Sequence, residues 1–256
     1  MCIDLMSMHR AELESYLTSI GEKTYRAKQI LQWFNLGATY DEMSNLPLPL
    51  RKRLKDETLT AMPRISAKLV SKIDGTVKYL FALHDGQMIE SVVMHYEHGN
   101  TICVSSQAGC RMGCRFCASN TGGLVRNLLP SEILGQVIMA QKDTGTRISN
   151  IVMMGIGEPL DNYDNVMRFL ALVGDPEGLN IGYRHISLST CGVVPNIYRL
   201  AEENLPITLS ISLHAIDDQE RSDIMPVNRK WCIDELLTAC KIYFQKTGRR
   251  ISFEYT

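Results

Sequence analysis

The spacing of apolar residues changes along the chain at about residue 65. Upstream of it, apolar positions recur every three or four residues, most clearly over 25–34, so residues 4–60 are predicted to be helical. The run Leu46-Pro47-Leu48-Pro49 predicts a break before a further helix that starts at Leu50. From 65 to 95 the signals are those of strands, and the segments 77–83 and 89–94 predict a hairpin.

Downstream of residue 96, short apolar segments alternate with amphipathic ones. We predict strands at 101–105, 148–154, 184–190, 206–213 and 250–255, and helices at 131–142, 162–172, 194–203 and 232–246. This alternation predicts an α/β domain with a parallel sheet and right-handed crossovers, whose functional loops lie at the carboxyl ends of the strands. The predicted division is a small accessory domain over 1–95 and a larger core over 96–256.

Composition narrows the class of protein. The 256 residues are 45% hydrophobic, enough for a substantial core, and no apolar run reaches the length of a membrane span. Eight cysteines without a secretory signal at the N-terminus favour a cytoplasmic protein with reduced or metal-bound thiols. The formal net charge is −1, so nucleic-acid binding would depend on local patches.

One such patch lies in the N-terminal part. Residues 20–72 carry ten Lys or Arg against five Asp or Glu, including Arg51, Lys52, Arg53 and Lys55. Phosphate binding is one interpretation of these side chains, and a solvated helix face is the other.

Three cysteines lie close together in the middle of the chain. Cys110, Cys114 and Cys117 are spaced C-x₃-C-x₂-C, with no fourth cysteine nearby. Three thiolates can hold three irons of a four-iron–four-sulfur (4Fe–4S) cluster and leave the fourth iron open to a ligand. The alternative is a zinc site, although zinc sites usually contain a second C-x₂-C pair. Three histidines are available to complete a zinc site: His95, His98 and His185.

Two further loops follow predicted strands. Gly155-Ile156-Gly157-Glu158-Pro159 lets the backbone approach a ligand closely, and the carboxylate of Glu158 can accept hydrogen bonds from an ammonium group. Ser187-Leu188-Ser189-Thr190 ends the next strand, and Ser212-Leu213-His214 ends the one after it. Hydroxyl and imidazole groups there can bind a polar cosubstrate. A tight turn, a capping serine and a core histidine are the structural alternatives.

Together these segments resemble the RlmN-type adenine-C2 methyltransferases of the radical S-adenosylmethionine (SAM) superfamily. The resemblance covers the runs 104–110, 155–163, 188–195 and 212–215, and also 25–30 and 74–80. It implies a partial (βα)₆ barrel, which this chain is expected to follow only as far as its fifth strand. It also implies one 4Fe–4S cluster on Cys110, Cys114 and Cys117. The residues it implies for SAM binding are Gly157, Glu158, Ser189, Ser212, Leu213 and His214.

The reaction is likewise implied by the resemblance. The expected substrates are an adenine of 23S ribosomal RNA and the adenine 3′ of the anticodon in certain transfer RNAs. Two SAM molecules are used per turnover, one to methylate a cysteine near the C-terminus of the family members and one for reductive cleavage. Cys103 would help to release the protein–RNA adduct and leave a disulfide, and Glu90 would accept a proton. The electron donor would be a flavodoxin or ferredoxin, and the enzyme a monomer that does not bind membranes.

Some expectations and alternatives stay open on the sequence. The methyl-carrying cysteine of the family is absent from these 256 residues, so we expect this chain by itself not to methylate RNA. An adenine-C8 methyltransferase of the same superfamily shares the site residues, and a non-catalytic RNA-binding protein with a structural metal predicts no SAM cleavage. Three arginines flank the cysteine loop as candidate RNA contacts: Arg111, Arg115 and Arg126. The remaining cysteines are interpreted as structural: Cys2, Cys191, Cys232 and Cys240.

Overall fold

A mixed β-sheet runs through most of the chain. The computed structural model describes residues 3–59 and 61–256. Its strands are β1 (Arg64–Val70), β2 (Val77–Ala82), β3 (Met88–Tyr96), β4 (Gly99–Cys103), β5 (Gln107–Gly109), β6 (Leu124–Asn127), β7 (Ile148–Met153), β8 (Ile186–Thr190), β9 (Thr208–Ser212) and β10 (Ile251–Glu254). The large sheet has the order β1-β2-β3-β4-β7-β8-β9-β10, while β5 and β6 form a separate antiparallel pair.

Three helices precede the sheet: α1 (Arg10–Ser19), α2 (Arg26–Asn35) and α3 (Leu48–Glu57). The buried residues of α2 have the predicted spacing of three and four. The predicted break is present at 43–47, but α3 begins at Leu48, two residues earlier than predicted, and contains Pro49 in its first turn. A proline is tolerated there because an N–H group in the first turn has no partner within the helix.

The predicted hairpin is present and belongs to the large sheet. β2 pairs antiparallel with β3, and β1 adds a further antiparallel strand at the edge. β3 also pairs with β4, so hydrogen bonding continues across residue 95 without a gap. The antiparallel strands therefore extend the parallel half of the sheet sideways.

The parallel half contains β4, β7, β8, β9 and β10. The helices that follow along the chain are α4 (Pro130–Thr144), α5 (Tyr163–Val173), α6 (Val194–Glu203), α7 (Asp218–Ile224) and α8 (Ile233–Thr247). Each predicted parallel strand and helix is present with ends displaced by at most two residues, and the α/β class is confirmed. The short helix α7 was not predicted, because its seven residues contain almost no apolar periodicity.

The two faces of the parallel half differ in polarity. Successive side chains of a strand point to opposite faces, so residues paired in register share a face. Leu188 and Leu209 are paired and fully buried in the apolar core. The opposite face carries polar side chains, among them Ser189 paired with Ser210, and Ser212 paired with Glu254. Across the described part of the chain, no helix is long and apolar enough to cross a membrane.

Candidate active site

The cysteine loop lies between β5 and β6 and is held by backbone hydrogen bonds. The N–H of Cys110 donates to the carbonyl of Gly123 (3.0 Å), and the N–H of Cys117 donates to that of Cys114 (3.1 Å). The N–H of Arg115 donates to the carbonyl of Ile224 at the end of α7 (2.8 Å). The loop is thus attached both to its own hairpin and to a distant helix.

Two thiols of this loop, those of Cys110 and Cys114, are only partly accessible, whereas Cys117 is exposed. Burial raises the pKa of Cys110, and burial together with the neighbouring Cys110 and Cys117 raises the pKa of Cys114 to about 11. Such thiols are protonated at neutral pH until a metal ion displaces the proton. Metal loading is therefore expected to release protons.

All three cysteines line one cavity of about 270 Å³. Five other predicted site residues line the same cavity: Gly157, Glu158, Ser189, Ser212 and His214. The predicted site residue Leu213 does not line the cavity, and its N–H donates to the carbonyl of Glu254 (3.1 Å). The structure therefore places the cysteine loop opposite the candidate SAM-binding loops.

A cluster fits this donor set better than a single ion. Within residues 3–59 and 61–256, no three His, Cys, Asp or Glu side chains lie close enough to hold one metal ion. A four-iron cluster is larger than one ion, so its thiolates can stand further apart. The histidines considered for zinc do not line the cavity: His95 and His185 contact Asn100 and Asn150, and His98 stacks on Tyr96.

The Gly155–Pro159 loop packs tightly against β5. Gly157 has φ +104°, and a Cβ atom built there would lie 2.5 Å from the Cβ of Gln107. The side chain of Gln107 accepts a hydrogen bond from the N–H of Glu158 (2.9 Å). Its amide also donates to Asp161 (2.9 Å). A glycine is required at 157 for both backbone conformation and space, and Gln107 orients the residue that follows.

Glu158 is the acidic group of the cavity and is only 4% exposed. Its carboxylate accepts hydrogen bonds from the N–H groups of Leu160 (3.0 Å) and Cys191 (2.8 Å). Burial nevertheless raises the pKa of Glu158. A cationic ligand beside the carboxylate would offset this cost, because an opposite charge favours the ionised form.

His214 and Phe116 form the other wall. His214 has φ +56° and forms an edge-to-face contact with Phe116 of the cysteine loop, with ring centroids 4.8 Å apart. A non-glycine residue in this conformation is uncommon and is held by its surroundings. Here the N–H of His214 donates to the carbonyl of Glu254 (3.1 Å).

Comparisons with known proteins agree with this arrangement. The family model of the radical SAM superfamily matches residues 104–255, and that of the ribosomal RNA large subunit methyltransferase N-terminal domain matches residues 3–59. A "probable dual-specificity RNA methyltransferase RlmN" from Alkaliphilus metalliredigens is 56% identical over 254 residues, covering 99% of this chain and 72% of that protein. The protein of the same name from Clostridium tetani is 53% identical, with 99% and 73% coverage.

The fold comparison gives the same result. A crystal structure of a radical SAM methyltransferase from Sphaerobacter thermophilus superposes with a TM-score of 0.93 at 42% identity, over 99% of this chain and 76% of that one. The chain belongs to the RlmN family of radical SAM RNA methyltransferases. Membership of the superfamily implies a 4Fe–4S cluster and SAM, and the three thiols and Glu158 in one cavity fit that pair of ligands.

The other two predicted RlmN-family residues lie outside the cavity lining, on the polar face of the sheet. Cys103 ends β4 and pairs in register with Val92, two positions from Glu90 on β3. The carboxylate of Glu90 is 44% exposed and binds Lys78 (2.9 Å). Burial raises the pKa of Cys103, although the N–H of Met154 lowers it. The Cys103 thiol therefore has a raised pKa in this structure, whereas a cationic group beside it would lower that pKa.

Several residues around the RlmN-family site were not found from the sequence. Gln107 and Met112 are among the residues that line or support the cavity, and Glu254 lies within 3.4 Å of the Ser189 and Ser212 hydroxyls. Glu254 ends the fifth parallel strand, and this position at a carboxyl end of the sheet is the feature of the sequence that could have identified it as a site residue.

The three arginines predicted as RNA contacts differ in their surroundings. Arg126 does not face open solvent as a free RNA contact, because it binds the buried Glu132 (2.7 Å) and Asp85 (2.6 Å). Arg111 is exposed but forms an ion pair with Asp161. Arg115 is exposed on the cysteine loop.

The other cysteines differ in their surroundings. Cys191 lines the site cavity and also supports Glu158 through its N–H, while Cys240 is buried in the core. Cys232 precedes α8 as its capping residue. The prediction for Cys2 lies outside the described residues.

Proposed function

We propose that the chain binds a 4Fe–4S cluster and SAM beneath the cysteine loop and supplies the radical SAM part of an enzyme that methylates C2 of an adenine in RNA. The methyl-carrying cysteine that this reaction needs is absent from these 256 residues. The proposed substrates are an adenine of 23S ribosomal RNA and the adenine 3′ of the anticodon in certain transfer RNAs. The names of the relatives, dual-specificity RNA methyltransferases, support two RNA substrates. The observation that carries the proposal is that the three cysteines and Glu158 line one cavity.

Different residues of the cavity would bind the cluster and SAM. Cys110, Cys114 and Cys117 would hold the cluster and leave one iron open. Glu158 would accept hydrogen bonds from the ammonium group of SAM, which are strong when buried and charge-assisted. The side chains of Ser189, Ser212 and His214 would bind the remaining polar atoms of SAM. Gly157 and the backbone of Leu213 would contribute further contacts. When bound, the cluster supplies the electron for reductive cleavage of SAM.

Glu90 and Cys103 would act on the RNA substrate and would not bind SAM or the cluster. They lie on the same polar face of neighbouring strands, beyond the cavity lining. We propose that Glu90 accepts a proton from the substrate carbon and that Cys103 assists release of the protein–RNA adduct. The exposure of the Glu90 carboxylate supports this role, since its proton can pass to water.

We also propose that residues 1–95 form an accessory RNA-binding domain and 96–256 the radical SAM core. Part of the basic patch is already paired: Lys55 binds Asp41 (2.6 Å), and Arg53 binds Glu57 (3.0 Å). Contact with phosphates there would replace these exposed pairs, which contribute little to stability. We further propose that two SAM molecules are used per turnover and that a flavodoxin or ferredoxin donates the electrons. The enzyme would act as a monomer in the bacterial cytoplasm.

The test begins with anaerobic reconstitution with iron and sulfide. We expect the reduced protein to give a 4Fe–4S electron paramagnetic resonance (EPR) signal that SAM changes and that Cys114→Ala abolishes. Stoichiometric zinc without a cluster would refute the proposal. The 256-residue protein alone should give no methylated adenine. When the methyl-carrying cysteine is also present, mass spectrometry of nucleosides from the treated RNA distinguishes 2-methyladenosine from the 8-methyladenosine of the C8 alternative. A cluster that never cleaves SAM would favour a non-catalytic metal protein.

A further inference from the structure

Arg221 on α7 is a buried arginine whose hydrogen bonds all lead to uncharged acceptors. It is 1% exposed. Its guanidinium donates to the carbonyls of Leu213 (3.1 Å), Ser212 (3.0 Å) and Cys191 (2.8 Å), and to Oδ1 of Asn228 (2.9 Å). The carboxylate of Asp218 is one hydrogen bond further away, since it accepts from the Asn228 amide (2.8 Å). Burying a charge without a direct ion pair is costly, and a well-packed apolar side chain usually serves stability equally well. A role beyond packing is therefore indicated.

The carbonyls that Arg221 binds belong to the ligand-binding loops. Ser212 and Leu213 end β9 at the cavity. Cys191 follows β8, and its N–H donates to the carboxylate of Glu158. One planar guanidinium thus fixes two strand ends that are 21 positions apart and, through Cys191, the orientation of Glu158.

The segment after Arg221 contacts the cysteine loop. The carbonyl of Ile224 accepts the hydrogen bond of the Arg115 N–H. Met225 is fully buried and lines the cavity. The ring of Pro226 lies 3.5 Å from the position that a Cβ atom of Gly113 would occupy. Residues 221–226 therefore connect the cysteine loop to the strand ends that face it.

We propose that Arg221 is a positioning residue for SAM: its guanidinium holds the β8 and β9 ends and the cysteine loop in the arrangement that binds SAM. The inference rests on the proposed function of the cavity. A guanidinium presents five donors in a rigid plane, whereas an ammonium is a point charge. Lysine at 221 would keep the charge and lose the simultaneous contacts to Ser212 and Cys191.

The test compares Arg221→Lys and Arg221→Met in reconstituted protein. Isothermal titration with SAM should show a dissociation constant raised by about 10-fold to 100-fold in both variants, the range typical of residues that orient the ligands of metal sites. Iron content should stay at the wild-type level. The charge predicts a second difference, because the net charge around a cluster sets its reduction potential. Arg221→Met should lower that potential, and Arg221→Lys should leave it unchanged.

The matched control is Arg126→Lys. Arg126 is also partly buried and binds Glu132 and Asp85 through several hydrogen bonds, but it does not contact the strand ends of the SAM loops. This variant should lower the melting temperature and leave SAM affinity unchanged. A role of Arg221 in stability alone would give the same result for Arg221→Lys.

Asn228→Ser is the milder variant, needed if the Arg221 variants do not fold. It removes the Oδ1 acceptor of Arg221 and keeps the buried charge, so a smaller loss of SAM affinity is expected. Wild-type SAM affinity in folded Arg221→Lys, or in Asn228→Ser if the former does not fold, would overturn the proposal. If the wild-type protein binds a cluster but no SAM, the proposed function itself fails.

Discussion

Replacing Gly157 by alanine tests whether the loop that precedes Glu158 is as constrained as the structure indicates. At φ +104° an alanine is strained by about 1–3 kcal/mol. Its Cβ would lie 2.5 Å from the Cβ of Gln107 and 2.7 Å from the Gln107 backbone nitrogen, and overpacking of this kind costs about 1–3 kcal/mol. Gln107 is fully buried and its amide is hydrogen-bonded at both ends, so it cannot move aside. The total destabilisation is therefore expected to be about 2–6 kcal/mol.

Thermal unfolding of the cluster-free, reduced protein, followed by circular dichroism, measures this effect. For a chain of this length, each kcal/mol lowers the melting temperature by about 2–4 °C. Two glycines provide controls. Gly145 has φ +66° with no atom within 4 Å of the position that a Cβ atom would occupy, so Gly145→Ala should show the conformational cost alone, about 1–2 kcal/mol. Gly182 has neither constraint, and Gly182→Ala should stay within about 0.5 kcal/mol of wild type. If Gly157→Ala has the same melting temperature as Gly182→Ala, this reasoning is refuted.

Three further predictions concern single side chains. Glu158→Ala should abolish the effect of SAM on the EPR signal while the cluster is retained, and should destabilise the fold by about 1–3 kcal/mol for each of the N–H groups of Leu160 and Cys191 left unpaired; an unchanged melting temperature would contradict this. Because burial raises the pKa of Cys103 above its ordinary value of 9.0, alkylation of this thiol by iodoacetamide, measured by peptide mass spectrometry, should rise with pH later than alkylation of glutathione; equal pH profiles would count against it. Arg126 lowers the pKa of Asp85 from 3.8 to about 2, so the stabilisation is present above the ordinary pKa and is lost as pH falls through about 2. In urea unfolding, Asp85→Asn should thus be less stable than wild type at neutral pH, with a difference that disappears in strong acid; a difference independent of pH would exclude this linkage.

Much of the secondary structure could be predicted because its determinants are local. The buried face of α2 repeats at three and four residues, and the β2–β3 hairpin alternates around Asp85-Gly86. Where the apolar spacing was weak or a proline made it ambiguous, the prediction missed a helix or displaced its start. Helix α7, which was not predicted, has almost no apolar spacing, and α3 begins two residues before the predicted position because its first turn accepts a proline.

The candidate site divides in the same way. The spacing of Cys110, Cys114 and Cys117 and the Gly-x-Gly-Glu-Pro run are contiguous, so the sequence by itself identified them together with the ligand chemistry they suit. The supporting contacts are not contiguous. Glu158 accepts from the backbone of Cys191, 33 residues away, and Arg221 donates to Cys191, 30 residues away.

Strand order and register decide such contacts, because a shift by one residue turns every side chain of a strand to the other face. Tertiary structure also distinguishes Arg126, which lies in β6 and binds Glu132 and Asp85, from Arg115, which is exposed on the cysteine loop. The sequence alone therefore determined which groups are available for chemistry and which segments fold locally. The tertiary structure determined which of those groups meet in one cavity, since that depends on packing between residues far apart in the chain.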